Sequence, residues 1–166
     1  MADGISRTGR AAERLFIELT GFQACVSPGK GDAAFELDGV CHYIEVKKCS
    51  SNTINQVRPI KFIPLVVYDE RDNSWYVIDP VELVAAAAAR GRGQHTEVPF
   101  ESMTLNISNW YSRKVDAGKL RSAVEKAIHM GLMNAELARC MSELRDGLVT
   151  LSDEYKQRVL RLLSSK

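Results

Sequence analysis

The sequence contains no cysteine pair of the form CxxC and no histidines at metal-ligand spacing. It also lacks any apolar run near the roughly 18 residues that a membrane-spanning helix needs. Cys25, Cys41, Cys49 and Cys140 are scattered, which argues against a zinc site or a disulfide framework and suits reduced, partly buried thiols. His42, His95 and His129 have no neighbouring pattern of acids or serines, so a Ser-His-Asp or zinc hydrolase has no support. Residues 1–10 hold no apolar stretch of the kind a secretory leader carries, and a cytoplasmic location is the default expectation. A strong charge bias is missing too: 22 basic residues face 21 acidic ones, a net charge of +1. The stretch Ser27-Pro28-Gly29-Lys30-Gly31 has glycines and a lysine, but not the spacing of a phosphate-binding GxxxxGK(S/T) loop.

What is present is an ordinary globular composition. With 166 residues, 45% of them hydrophobic, the chain can bury a sizeable core without disulfides or structural metals. Its charges are unevenly placed: residues 1–110 carry 11 basic and 14 acidic side chains, whereas residues 111–166 carry 11 and 7. The C-terminal basic excess suits phosphate contact or a solvated helical surface.

Ala12, Leu15, Phe16 and Leu19 recur at helical spacing, which predicts an amphipathic helix over residues 8–19, with Ser6 or Thr8 as cap and Gly21 as stop. Residues 22–26 read as a short strand. Residues 32–37 and 40–47 flank Asp38-Gly39, a dipeptide suited to a two-residue hairpin turn. A second hairpin is expected from residues 62–68 and 75–78 around the polar turn 69–74. Pro80 and the alanine-rich run over residues 81–89 predict a helix, ended by Arg90-Gly91-Arg92-Gly93. Residues 98–110 are ambiguous with respect to strand, and residues 120–130, 135–144 and 153–163 read as helices with Asp116, Asn134 and Ser152 as candidate caps.

The first hairpin carries the chemistry. A turn at Asp38-Gly39 pairs Leu37 with Val40, and counting outward sets Asp32 opposite Glu45. Alternation places Lys47 on the Glu45 face, so two carboxylates and an ammonium are expected to converge. Two carboxylates that close repel each other unless a cation compensates. Magnesium accepts a few carboxylate oxygens plus water and phosphate, and the Val46 carbonyl is a further candidate ligand. Such a site suits phosphodiester hydrolysis, with Lys47 orienting or deprotonating a water. The competing reading is a solvent-facing hairpin with ordinary ion pairs among the same side chains.

Gly31-Asp32 followed by Tyr43-Ile44-Glu45-Val46-Lys47 resembles the D-x(n)-(D/E)-x-K signature of the PD-(D/E)XK, restriction-endonuclease-like superfamily. The order of features is similar to that of Holliday-junction resolvases and several small restriction enzymes: a first helix containing Glu13, a strand, the Asp32 loop, the Glu45 strand, then a polar segment with Gln56. Residues 55–83, including Trp75-Tyr76-Val77-Ile78-Asp79-Pro80, resemble the strand pair of intron-encoded members. The resemblance covers residues 8–83. It implies a metal-site role for Glu13 and a DNA-facing or water-orienting role for Gln56. The proline usual before the first aspartate is replaced by Gly31, which leaves Glu36 as a competing first carboxylate.

These readings give an α/β expectation: a restriction-endonuclease-like mixed central sheet of about five strands, flanked by helices, with a helical C-terminal appendage. Residues 1–110 would form the nuclease core and residues 111–166 a helical extension for dimerisation or DNA contact, in one compact unit with it. The expected activity is magnesium-dependent cleavage of double-stranded or branched DNA, with manganese able to substitute, by a restriction-type homodimer or a heteromeric subunit. A junction resolvase and a non-cutting DNA-binding regulator are the alternatives. Lys48, Arg58, Lys61, Arg90 and Arg92 are candidate phosphate contacts, and Arg139 and Arg145 would contact DNA if residues 120–144 formed a helix-turn-helix.

Overall fold

The computed structural model describes residues 3–27 and 29–165; Pro28, within the expected loop 27–31, lies outside the described residues. The chain forms a mixed six-stranded sheet with helices on both faces. Helix α1 (Asp3–Thr20) is followed by β1 (Gln23–Ala24), β2 (Ala33–Leu37), β3 (Val40–Cys49), β4 (Thr53–Val57), β5 (Leu65–Asp69) and β6 (Ser74–Ile78). Then come α2 (Pro80–Ala88), β7 (Met103–Asn106), β8 (Lys114–Val115), α3 (Leu120–Leu132), α4 (Ala135–Arg145) and α5 (Asp153–Ser164). The main sheet runs β1-β2-β3-β5-β6-β8, and β4 pairs with β7 in a separate ribbon. Among the described residues only the β3–β5 pair is parallel.

β5 and β6 are buried on both faces, which is why their sequences read as nearly continuous apolar runs. Their alternation sorts two cores. Val66, Trp75 and Val77 face Ala12 and Phe16 of α1 and Leu120, Val124 and Ile128 of α3. Leu65, Val67, Tyr76 and Ile78 face the opposite way, onto Leu83 and Val84 of α2, Leu105 of β7, Leu137 and Met141 of α4 and Val159 of α5. Thus α3 completes one layer while α4 and α5 complete the other.

Local signals explain the element ends. Asp38 and Gly39 both have positive φ (52° and 80°), as the tight hairpin turn requires. α2 starts at a capping box in which Asp79 accepts from the Glu82 N–H and the Glu82 side chain accepts from the Asp79 N–H, with Pro80 in the first turn. Ser152 caps α5 by accepting from the Tyr155 N–H. Two expected caps do otherwise: Asp116 precedes a short 3-10 turn without capping it, and the Asn134 side chain donates to the Met130 carbonyl. Helix α1 begins at Asp3, so Ser6 and Thr8 lie within it.

Residues 50–56, read as a polar segment, contribute strand β4. A bulge between Ile54 and Val57 puts Gln56 at φ 55° and lets both apolar residues face inward, three positions apart, so no period-2 signal survives. Among the described residues the main sheet has six strands where about five were expected, the addition being the short edge strand β8.

Candidate active site

Strand β3 changes partners along its length. Val40 to Ile44 pair with β2, in the register expected from the Asp38-Gly39 turn, and Glu45 to Cys49 pair with β5. Beyond Ile44 the edge of β3 that faced β2 is therefore released, and the carboxylates gather there.

Asp32 does not continue the ladder to stand upright across from Glu45. Its N–H bonds to the Ile44 carbonyl (2.9 Å), one residue short of the extrapolated register, and its Oδ2 accepts from the Val46 N–H (2.9 Å). A carboxylate thus caps the released edge of β3. In a strand the N–H and C=O of one residue leave on the same edge, so the Val46 carbonyl points to the Asp32 side as well. Gly31 makes this approach possible. A Cβ there would lie 3.0 Å from the Tyr43 Cβ and 3.1 Å from the Ile44 carbonyl oxygen. Gly31→Ala is therefore expected to destabilise the fold by about 1–3 kcal/mol and to displace Asp32, read as a lower melting temperature together with a loss of activity.

Glu13 reaches the same point from α1. Its carboxyl is pushed up to about 7, first by burial, then by the charge of Asp32 and a hydrogen bond shared with it, and by the charge of Glu45; Arg10 pulls the other way. Asp32 is also raised, mainly by burial and further by Glu45, against the lowering effects of the Val46 N–H, Lys47 and Lys61. Glu45 comes from the other face of β3, where Lys47 Nζ lies 4.0 Å from its Oε1 and Lys61 Nζ 3.4 Å from its Oε2.

The structure thus brings together Glu13, Asp32, Glu45, Lys47 and the Val46 backbone, and it adds Lys61 to them. Nothing local in sequence marked Lys61 as more than a phosphate contact. It arrives because the turn Pro59–Lys61 leads into β5, the strand parallel to the Glu45 half of β3. Glu36, the competing first carboxylate, pairs with Cys41 farther along the hairpin and is exposed. Gln56 sits in the β4 bulge, its N–H bonded to Gln94 Oε1, with an exposed side chain.

Among the other cationic candidates, Arg58 lines the small space beside Glu45 and Lys61, and its Nε donates to the Glu101 carbonyl. Lys48 is held by Glu70 at 2.7 Å. Arg92, Arg139 and Arg145 pair locally with Glu97, Glu136 and Asp146, and Arg90 is exposed after α2. Helix α4 buries Leu137, Cys140 and Met141 and packs on the Pro59–Lys61 turn and on α5. A cleft of about 510 Å³ runs from Val46 and Lys47 past Lys48, Ser50, Ser51, Thr53 and Asn55, with Gly9 of α1 on its rim. No acidic residue lines this cleft among the described residues.

The donors around Asp32 are all oxygens, which favours a hard cation such as magnesium or manganese over zinc. Among the described residues no three His, Cys, Asp or Glu side chains already enclose a metal position. Two carboxylates and a carbonyl would leave the other octahedral positions to water and phosphate, as magnesium prefers. Glu13, Asp32 and Glu45 lie close enough for their charges to act on one another and raise the carboxyls of Glu13 and Asp32, which marks a pocket short of positive charge; with its oxygen donors the pocket fits a divalent cation.

No family model and no curated protein matches this sequence. Among solved structures the chain is similar to a bacterial homing endonuclease, I-Ssp6803I, with 15% identity, coverage of 78% of this chain and 97% of that one, and a TM-score of 0.47.

Proposed function

We propose that this chain is a divalent-cation-dependent DNA endonuclease of the restriction-endonuclease-like, PD-(D/E)XK kind, hydrolysing phosphodiester bonds. The observation that carries the reading is the convergence of Glu13, Asp32 and Glu45, from three separate elements, on the released edge of β3 beside Lys47. Holding three half-buried acids together is unfavourable for a protein with no cation to place among them.

In this reading Asp32, Glu45 and the Val46 carbonyl would hold magnesium, with manganese as a substitute. When bound, such an ion polarises the scissile phosphate and acidifies a coordinated water. Lys47 orients the attacking water and neutralises charge growing on a non-bridging phosphate oxygen. Glu13, which reaches Asp32 from α1, is placed to accept the proton that the water gives up. The cleft beyond Lys47 accepts the flanking backbone, its hydroxyls, amide and ammonium groups facing phosphates without a carboxylate to repel them.

Restriction-type cutting by a homodimer and resolution of branched DNA both remain within this activity. The experiment is incubation with linear duplex, supercoiled plasmid and four-way-junction DNA, in magnesium and in chelator. Discrete products that require the metal are the expected result, and the substrate cut fastest selects the subclass. Salt-sensitive binding of all three without cutting in either magnesium or manganese would replace the enzyme with a DNA-binding regulator.

A further inference from the structure

Lys61 is poorly explained as an outlying phosphate contact. Its ammonium stands 3.4 Å from Glu45 Oε2, its side chain is only 17% exposed, and it is one of the two lysines whose charge acts on Asp32. The segment that carries it is tied down on both sides. The Ile60 N–H donates to the Phe100 carbonyl (2.8 Å), and the Pro64 carbonyl accepts from the N–H of Glu45 itself (3.0 Å). Between them Phe62 closes the 3-10 turn in the left-handed region, at φ 53°. A bulky residue held there is a strained arrangement that must be sustained by its surroundings, and such strain tends to occur at functional sites. The turn so closed carries Lys61, whose ammonium meets the Glu45 carboxylate.

Glu45 thus has an ammonium on each oxygen: Lys47 on Oε1 and Lys61 on Oε2. Three carboxylates and two ammoniums give the cluster a formal charge of −1 when all are ionised. A divalent cation would raise that to +1, the complement of one phosphodiester. It would also meet a lysine already on a carboxylate it needs. A cation that takes Glu45 Oε2 must displace Lys61, which approaches from the turn across the strand pair to 3.4 Å, whereas Lys47 on β3 stands 4.0 Å from Oε1.

Building on the nuclease reading, we infer that Lys61 is a second catalytic lysine: a counter-ion that holds Glu45 in the cation-free protein, competes with the divalent cation for that carboxylate, and on release carries its charge to the phosphate of the substrate. Two measurements must then move in opposite directions when Lys61 is neutralised. A structural lysine would lower both or neither.

The test uses the full chain as wild type, Lys61→Gln and Lys61→Arg. Manganese affinity is measured by calorimetry without DNA, and cleavage under single-turnover conditions. Removing one positive charge several ångströms from a divalent ion in a solvent-accessible site is expected to tighten manganese binding by on the order of tenfold. Cleavage is expected to fall about a hundredfold for want of the charge at the phosphate. Lys61→Arg keeps the charge and is expected to stay near wild type in manganese affinity. Should Lys61→Gln fail to fold, Lys61→Met preserves the apolar stem and gives the same comparison. Unchanged or weaker manganese binding in the neutral variants overturns the inference, as does tighter binding with undiminished cleavage. A wild type that neither binds manganese nor cuts DNA overturns the nuclease reading itself; a wild type that does both, with the Lys61 variants indistinguishable from it, overturns only the role of Lys61.

Discussion

Lys47→Ala should fold, bind DNA and take up manganese, yet cleave at least about a hundredfold more slowly than wild type in a single-turnover assay. The expectation follows from where Lys47 stands. Its side chain shares the β3 face of Glu45, is 23% exposed, and opens onto the polar cleft that would receive the flanking DNA backbone. At 4.0 Å from Glu45 its ion pair is loose, and a loose, partly exposed pair contributes only about 0–1 kcal/mol to stability. The melting temperature should therefore change little while the rate collapses. DNA affinity should weaken only modestly, since one cation among the several that meet the backbone is lost. Cleavage within threefold of wild type would reduce Lys47 to a surface ion pair and remove the central support for a PD-(D/E)XK site.

How far the site could be read from sequence depends on how local each signal was. The Asp38-Gly39 turn set the register of a whole hairpin, because a two-residue turn admits one pairing and a slip would turn Ala33 and Ile44 out of the core. Asp32 and Glu45 could be placed near each other on that basis alone. That Asp32 caps the Val46 N–H, and does not stand on the Glu45 face, follows from β3 exchanging β2 for β5 at Glu45, a tertiary event with no local trace. Gly31, noted as a departure from the usual proline, turns out to be what lets the backbone pass Tyr43 and Ile44 closely enough to deliver Asp32.

Lys61 lies 16 residues from Glu45, and its approach depends on the parallel β3–β5 pairing, which periodicity cannot reveal. The β4 bulge likewise hid a strand by breaking its alternation at Gln56. By contrast the long helices were legible because their apolar faces repeat at helical spacing and meet one sheet face each.

Glu13 offers the second large expected effect, because Glu13→Gln should act oppositely on stability and on catalysis. In the cation-free protein the Glu13 carboxyl is raised from 4.5 to about 7. The folded chain therefore keeps a proton that the unfolded chain has given up at intermediate pH. For a group raised on folding, its favourable contribution is complete below about 4.5, is lost as pH rises towards 7, and stays lost above. Wild type measured in chelator should accordingly lose stability between those values. Glutamine cannot ionise, so the variant should lack that component of the pH dependence and be the more stable protein at pH 8. Allowing for solvent screening of a partly exposed group, the gain is about 1–2 kcal/mol, or roughly 2–8 °C in melting temperature. DNA cleavage by the same variant should fall about a hundredfold, as expected when a proton acceptor is removed. A surface glutamate flanked by Arg10 and Arg14 would give neither change. A more stable but inactive Glu13→Gln would show that this acid is retained at a cost in stability for the sake of the reaction.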